Sequence, residues 1–231
     1  EDLSQALSIL FIRILIAGVL VFMSHTIFPF FKDFDNHISK SIPGFDQIDD
    51  IILSIFSYKD KSDTRFLDIG SSTCRLINKI KEINDSEFIY GIDPEVEFEK
   101  FGSQKISLQD FTETDFDMIT SVFSNNFIMT DRTSLYKEIF RKLKSSGVFV
   151  CFEKIVEKDG LSQKINQECL FDFKIKSFSP SEIIEKQNKI KNLMIDHDSD
   201  YIINKLTESG FKNVHMIWKN LCFAGFVAWK N

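Results

Sequence analysis

The sequence has four cysteines and four histidines, and neither set forms a metal-binding motif. No two cysteines are spaced as CxxC, and the histidines are scattered along the chain. A structural zinc site is therefore not expected. Cys151 and Cys222 lie in apolar runs, which predicts small buried side chains rather than disulfide partners. A reducing, cytoplasmic setting is the simplest interpretation.

The chain also lacks a net positive charge. The 231 residues carry a formal net charge of −6, which excludes a global field that would draw the chain to phosphates or anionic lipid. Lysine-containing runs at 137–144 and 186–191 are interpreted as solvated helix faces, with contact to RNA as the alternative. Hydrophobic residues make up 43% of the chain, which is enough apolar material for the core of one globular domain.

One long apolar run lies near the N-terminus, at residues 6–23. It is shorter than the roughly 20 residues of a spanning helix, and it contains Arg13, which is costly in a bilayer. Three interpretations remain open: a membrane anchor, a helix packed on its own domain or on a second subunit, or a leader outside the natural protein. We therefore divide the chain into an apolar leader at 1–23 and one domain at 24–231.

Most of that domain alternates between strands and helices. Short apolar runs predict five strands, at residues 66–69, 88–92, 106–108, 118–123 and 147–152. Helical spacing at 74–83 and 134–143 indicates a doubly wound α/β sheet, because buried strands that alternate with helices pair in parallel. A polar helical stretch at about 157–198 is interpreted as an inserted lid or dimerisation element. Residues 214–218 and 222–229 predict a closing antiparallel hairpin.

The Asp-Ile-Gly turn that ends the first strand carries the strongest functional signal. Gly70 would let a ligand approach the backbone, and the amides from Ser71 onward open a helix that can bind a polar or negative group. Asp93 ends the second strand, where an acid accepts hydrogen bonds from ribose hydroxyls, and Asp110 is placed to meet an adenine amino group. No GxGxxG pattern is present, which favours S-adenosylmethionine over NAD. The alternative is that Asp68 and Asp93 only cap turns of a cofactor-free sheet.

From about residue 28 to 230 the sequence resembles the carboxy-S-adenosyl-L-methionine synthases, a family with the class I methyltransferase (Rossmann-like) fold. The blocks that carry the resemblance are SIPGF at 41–45, LDIGSS at 67–72, FEK at 152–154 and EIIEKQNKIKNLMI at 182–195. The resemblance implies S-adenosyl-L-methionine, or a carboxylated derivative of it, as the cofactor. It also implies a homodimer in which the helical insertion helps to build the neighbour's site. The product would serve the modification of wobble uridine in tRNA.

The resemblance further implies which residues line the cofactor pocket. Together with Asp68 from the turn, they are Phe45, Gly70, Ser71, Ser72, Asp93, Pro94, Asp110 and Phe111.

Four positions depart from the family pattern. Phe45 stands where the family has a tyrosine, Val122 where it has an asparagine, and Cys74 where it has a motif glycine. Gln187 stands where the family has a carboxylate-binding arginine, and it is our candidate for a substrate or second-subunit contact. A neutral amide cannot reproduce the charged fork that arginine forms with a carboxylate. Lys186 or Lys189, on a neighbouring turn, could supply the missing charge.

Three functions therefore remain open. The first is an S-adenosylmethionine-dependent transferase that carries out methyl transfer or related chemistry of the cofactor. The second is a true carboxy-S-adenosylmethionine synthase that uses prephenate. The third is a non-catalytic subunit with the same fold. No catalytic residue is assigned, because methyl transfer depends mainly on positioning the sulfonium near a nucleophile.

Overall fold

The computed structural model describes residues 33–59 and 63–231. The predicted leader at 1–23 lies outside the described residues, so its three interpretations stay predictions. Among the residues described, no helix combines the length and the apolar character that a membrane span requires.

A six-stranded sheet organises the described chain. Its strands are β1 (Phe66–Ile69), β2 (Ile89–Ile92), β3 (Phe116–Val122), β4 (Leu143–Lys154), β5 (Lys212–Asn220) and β6 (Phe223–Trp229). Their order across the sheet is β2-β1-β3-β4-β6-β5. The first four strands pair in parallel, whereas β6 pairs antiparallel with both β4 and β5. The predicted doubly wound sheet with a closing hairpin is thus confirmed.

Seven α-helices connect and cover these strands in the described residues. They are α1 (Phe34–Ser39), α2 (Phe45–Lys59), α3 (Arg75–Ile83), α4 (Arg132–Lys142), α5 (Gly160–Lys174), α6 (Pro180–Ile190) and α7 (Ser199–Glu208). Short 3-10 helices follow β2 and β3, at Val96–Phe101 and Asn125–Phe127.

The hydrophobic core forms two layers, one on each face of the sheet. Successive side chains of a strand point to opposite faces, so Phe66 packs with α2 and α3, while Leu67 packs with α4 and α7. Phe66 and Leu67 are both fully buried. Burial of each such side chain contributes roughly 1.5–3 kcal/mol to folding. The two layers therefore fix the carboxyl ends of β1, β2 and β3 relative to one another.

The strand predicted at 106–108 does not form, and that prediction is wrong. A single parallel bridge between Ile92 and Gln104 remains at this edge of the sheet. The chain turns instead, because Ser107 Oγ donates to Asp110 Oδ2 at 2.6 Å and accepts from the Asp110 backbone amide at 3.3 Å. Such local side-chain bonds compete with strand pairing. β2 is consequently the edge strand on this side of the sheet.

The polar stretch predicted as an insertion contains α5 and α6. α6 begins with a capping box, in which Ser179 and Glu182 satisfy each other's backbone amides, and Pro180 follows the cap. Both helices expose large apolar side chains: Leu161 is 66% exposed and Ile184 is 52% exposed. An exposed apolar face is typical of a surface that contacts a partner. Its role in dimerisation stays a prediction.

Candidate functional site

The turn after β1 is packed so closely that it requires glycine. Gly70 has a φ of +71°, in the left-handed region, and a Cβ built there would lie 2.3 Å from Ser124 Oγ. Ser124 Oγ in turn donates to the Ile69 carbonyl at 2.8 Å, which ties the ends of β1 and β3 together. The predicted role of Gly70, close approach of the backbone without a side chain, agrees with this geometry.

The turn continues in strained backbone until α3 begins. Ser72 and Cys74 have φ values of 41° and 57°, in the region that favours glycine. Left-handed backbone costs a non-glycine residue roughly 1–2 kcal/mol. The Cys74 side chain is buried, and its amide donates to the Ser71 carbonyl at 2.8 Å. Cys74 therefore keeps the turn conformation at the position where the sequence departs from a motif glycine.

Asp93 closes the turn from the neighbouring strand. Its Oδ2 accepts from the Ser72 amide at 3.2 Å, and its Oδ1 accepts from the Glu95 amide at 3.0 Å. Burial raises the pKa of the Asp93 carboxyl to about 6, although both amides favour the charged form. Each carboxylate oxygen has a second lone pair, so the side chain can still accept hydrogen bonds from hydroxyl groups of a ligand.

Asp68 lies on β1, directly beneath the same turn. Its Oδ1 accepts from Thr120 Oγ1 at 2.7 Å, and the residue is only 4% exposed. Burial, together with the nearby charge of Asp93, raises the pKa of Asp68 to about 7 although the Thr120 hydrogen bond favours the charged form. Two buried acids at one turn form a negative pole that would favour a cationic ligand group.

A cavity of about 1000 Å³ opens above this turn at the carboxyl ends of the strands. Ligands of open α/β sheets bind at this edge. Seven of the residues predicted for the cofactor line the cavity: Phe45, Asp68, Gly70, Ser71, Ser72, Asp93 and Pro94. The structure therefore brings these residues together, while their individual roles stay predictions.

The other two predicted cofactor residues lie elsewhere. Asp110 is exposed and is bonded to Ser107, as described above. Phe111 is a core residue whose ring stacks on Phe116 with 6.1 Å between centroids. Neither lines the cavity, whereas Ser107 and Gln109 do. The missing third strand explains the difference, because the turn that replaces it presents Ser107 and Gln109 instead.

Three of the departures from the family pattern meet in the cavity. Phe45, Val122 and Gln187 all line it, although they belong to α2, β3 and α6. Of the two lysines proposed to replace the arginine charge, Lys186 lines the cavity. Lys189 does not, and its Nζ lies 2.7 Å from Glu185 Oε1.

Lysines give the cavity a positive pole. Lys154, Lys174, Lys186 and Lys191 all line it. Lys154 forms an ion pair with Asp196, and Lys186 Nζ lies 2.6 Å from His37 Nε2. Burial, together with the charge of Lys154, lowers the pKa of Lys174 to about 8. Burial, together with the charge of Lys174, lowers the pKa of Lys186 to about 7.

Sequence reasoning missed Lys154 and Lys174 as components of the site. In the sequence Lys154 stands out only as part of the FEK block, and Lys174 lies in the polar insertion outside the lysine-containing run at 186–191. The two residues lie on β4 and α5, and only the fold brings their side chains into one cavity. No local pattern in the sequence marks this pairing.

The FEK block has a structural role next to the cavity. Glu153 is fully buried, and its carboxylate accepts from Tyr136 Oη at 2.7 Å and from Asn125 Nδ2 at 2.9 Å. It also pairs with Arg132, with 3.2 Å between Nη2 and Oε2. These bonds hold the 3-10 turn after β3 and helix α4 against β4. The adjacent Lys154 is thereby placed at the cavity wall.

Comparison with known proteins agrees with the fold and the turn. Residues 67–151, which include the glycine turn and Asp93, match the family model of the methyltransferase domain. The carboxy-S-adenosyl-L-methionine synthase of Staphylococcus epidermidis is 28% identical over 212 residues, which cover 86% of this chain and 93% of that protein. The synthase of Nautilia profundicola is 24% identical over 211 residues, which cover 85% and 90%.

A solved structure supports the fold alone. The phosphoethanolamine N-methyltransferase 2 of Haemonchus contortus, in complex with S-adenosyl-L-methionine, superposes with a TM-score of 0.56 at 14% identity. The match covers 80% of this chain and 52% of that one.

The fold, the matched domain and the turn define an S-adenosylmethionine-dependent transferase with the class I methyltransferase fold. Over most of its length the chain is similar to carboxy-S-adenosyl-L-methionine synthases. The predictions of the fold class, of the cofactor and of this resemblance are confirmed.

Proposed function

We propose that the chain is an S-adenosylmethionine-dependent transferase whose second substrate is an anion. The observation that carries the proposal is the arrangement of charge in one cavity. Asp68 and Asp93 lie at the glycine turn, and Lys154, Lys174, Lys186 and Lys191 line the same cavity, with Asp196 paired to Lys154. Charges of opposite sign within one cavity select a ligand pair with the complementary charges.

The negative pole suits the cofactor. S-adenosylmethionine carries a sulfonium and an ammonium group, and both are attracted to ionised carboxylates. The cavity volume of about 1000 Å³ is at the upper end of the range of roughly 300–1,000 Å³ that small-molecule sites occupy. It therefore has room for a second small molecule beside the cofactor.

The positive pole suits a carboxylate. The carboxy-S-adenosylmethionine reaction, with prephenate as the co-substrate, is the specific form of this proposal that the resemblance favours. Lys174 and Lys186 would then supply the charge that Gln187 lacks. An ammonium group is a point charge and not a planar fork, so the carboxylate would be attracted without the bidentate geometry of arginine.

Methyl transfer to a nucleophilic acceptor is the second candidate. Phe45 lacks a hydroxyl, Val122 lacks an amide and Gln187 lacks a positive charge relative to the family pattern, and all three line one cavity. This favours methyl transfer, because the changes remove contacts that a carboxylated cofactor would need. Methyl transfer requires positioning of the sulfonium and little acid–base help.

Partners and location follow as parts of the same proposal. We infer a cytoplasmic homodimer formed through the exposed apolar side chains of α5 and α6, including Leu161 and Ile184.

Any link to wobble-uridine modification in tRNA would be indirect, through a small-molecule product. Lys142, in the basic run at 137–144, is fully buried and donates to the Phe111 carbonyl, so this run is not a continuous cationic face.

Mass spectrometry of the purified protein tests the proposal. We expect the native protein to carry S-adenosylmethionine or carboxy-S-adenosylmethionine, and calorimetry to detect binding of both added ligands. Conversion of S-adenosylmethionine with prephenate, followed by chromatography, would identify the carboxy reaction. Binding of S-adenosylmethionine without any affinity for the carboxylated form would favour methyl transfer. A protein that binds neither ligand would be the non-catalytic relative.

A further inference from the structure

Helix α1 lies along the wall of the cavity, and of its residues the partly buried Ile38 packs against the hydrophobic core. None of its residues is buried, yet Phe34, Asp35 and Ile38 all line the cavity. Edge-to-face contact between Phe34 and Phe98, with 5.3 Å between ring centroids, is one of the contacts that hold it. A helix with no fully buried side chain moves at a lower cost than one packed in the core on one whole face.

One side chain of this helix is bonded to the glycine turn. The Asp35 carboxylate accepts from Thr73 Oγ1 at 2.8 and 3.0 Å, and its Oδ1 lies 3.8 Å from Arg75 Nε. Thr73 is part of the turn and Arg75 is the first residue of α3, and both line the cavity. A hydroxyl and a guanidinium are therefore directed at one carboxylate.

Two further contacts hold the Arg75 side chain in place. It forms an ion pair with the buried Asp49, and its guanidinium lies 4.5 Å from the centroid of the Phe45 ring. These contacts fix the guanidinium at the cavity wall while its side chain stays 25% exposed. The Asp35 side chain is 41% exposed, so it is the less firmly held partner of the two.

We propose that Thr73 and Arg75 form the subsite for the carboxylate of the amino-acid portion of the adenosyl cofactor, and that Asp35 occupies this subsite until the ligand displaces it. Asp93 marks the ribose end of the site. An extended adenosyl ligand that passes Gly70 brings its other end to the wall formed by Thr73, Arg75 and Phe45. A guanidinium with a hydroxyl beside it is suited to a carboxylate, and the internal carboxylate of Asp35 makes the same contacts.

The inference rests on the proposed function, because it requires the adenosyl cofactor in this cavity. It predicts that a change at Asp35 affects ligands that carry the amino-acid carboxylate and not ligands that lack it. Asp35→Asn removes the competing charge, so a ligand with a carboxylate should bind more tightly. A ligand that ends before the amino-acid portion should be unaffected. The half-exposed position of the Asp35–Arg75 pair limits the gain to roughly 2- to 5-fold.

Calorimetry with two ligands provides the test. S-adenosylhomocysteine carries the amino-acid portion, and 5′-methylthioadenosine lacks it. We expect Asp35→Asn to tighten binding of the first about threefold and to leave the second unchanged. Arg75→Gln should weaken only the first, by roughly tenfold or more. Asp46→Asn is the matched control, since Asp46 is exposed at the start of α2 and does not line the cavity.

The outcomes separate this inference from the proposed function. Equal shifts for both ligands in Asp35→Asn, or weaker binding of S-adenosylhomocysteine, would overturn the subsite while leaving the cofactor in place. Failure of the unaltered protein to bind either ligand would overturn both. Thermal unfolding of Arg75→Gln identifies a variant that fails to fold, and in that case the two-ligand comparison in Asp35→Asn decides alone.

Discussion

Thr120 on β3 donates a hydrogen bond to Asp68 on β1, with 2.7 Å between Oγ1 and Oδ1. Both residues are buried, and the bond lies directly beneath the glycine turn. A hydroxyl donor favours the ionised carboxyl, whereas burial favours the neutral form and raises the pKa of Asp68 to about 7. The Asp68 carboxyl, directly beneath the cofactor site, therefore changes its charge near neutral pH.

The affinity for S-adenosylmethionine should depend on pH through Asp68. Its raised pKa means that the carboxyl is neutral below about pH 7 and charged above it. The sulfonium and ammonium groups of the ligand are attracted to the charged form of Asp68. Binding should therefore tighten as pH rises from 6 to 8, by up to about tenfold per pH unit below the pKa. Asp93, whose pKa is about 6, should extend the loss of affinity to lower pH. Calorimetry at several pH values measures the profile.

Asp68→Asn separates this effect from general changes in the protein. The amide preserves the shape and cannot ionise, so we expect affinity to fall by roughly 10- to 100-fold at pH 8 and the profile between pH 7 and 8 to flatten. An unchanged profile in this variant would show that another group controls the pH dependence.

Binding of an anionic co-substrate should show the opposite pH dependence. The pKa values of Lys186 and Lys174 are lowered to about 7 and about 8, so both lose their charge as pH rises through this range. Affinity for prephenate or for carboxy-S-adenosylmethionine should therefore fall between pH 6 and 9. Lys174→Met should weaken these ligands by roughly 10- to 100-fold at pH 6.5 and leave S-adenosylmethionine nearly unchanged.

Lys189→Met is the control for that measurement. Lys189 lies on the same helix as Lys186, pairs with Glu185 and does not line the cavity. If both variants reduce the affinity equally, the effect comes from net charge and the cavity lysines have no special role.

Gln187→Arg should restore a guanidinium group that can bind a carboxylate through two parallel hydrogen bonds. Gln187 lines the cavity beside Lys186, so a guanidinium at this position would reach the same space. We expect the variant to bind carboxy-S-adenosylmethionine roughly 10- to 100-fold more tightly, because a charged hydrogen-bond donor replaces a neutral one. Gln187→Met keeps a side chain of similar size without charge and should show no gain. Equal affinity in all three proteins would place the carboxylate elsewhere.

The sequence predicts the parts of the fold that depend on local patterns. The strand Phe66–Ile69 and the closing hairpin follow from apolar runs bounded by turn residues, and the structure confirms them. The turn at Gly70 was predicted because a backbone that approaches a ligand needs a residue without a side chain. The strand predicted at 106–108 failed, because the Ser107–Asp110 bond is a local competitor that apolar periodicity does not reveal.

The positive pole of the cavity could not be predicted in the same way. Lys174 reaches it only because α5 folds back over the carboxyl ends of the strands, and a lysine on a polar helix looks like any solvated lysine. The same holds for Asp35 and Arg75, whose contact joins α1 to α3. Residues that act across elements become visible only when the tertiary structure is known.

Glu153 should be among the residues on which stability depends most. Its buried carboxylate is the shared acceptor for Tyr136, Asn125 and Arg132, so removing it leaves a buried guanidinium without its ion-pair partner. Breaking one side of a buried pair costs about 3–5 kcal/mol, and we expect Glu153→Ala to lower the free energy of unfolding by this amount in urea titrations. Tyr136→Phe removes a single hydrogen bond to a charged acceptor and should cost about 1.5–3 kcal/mol. Glu82→Ala, at an exposed position on α3, should change stability by less than about 0.5 kcal/mol. A loss in Glu153→Ala no larger than in Glu82→Ala would mean that the network does not hold β4 in place.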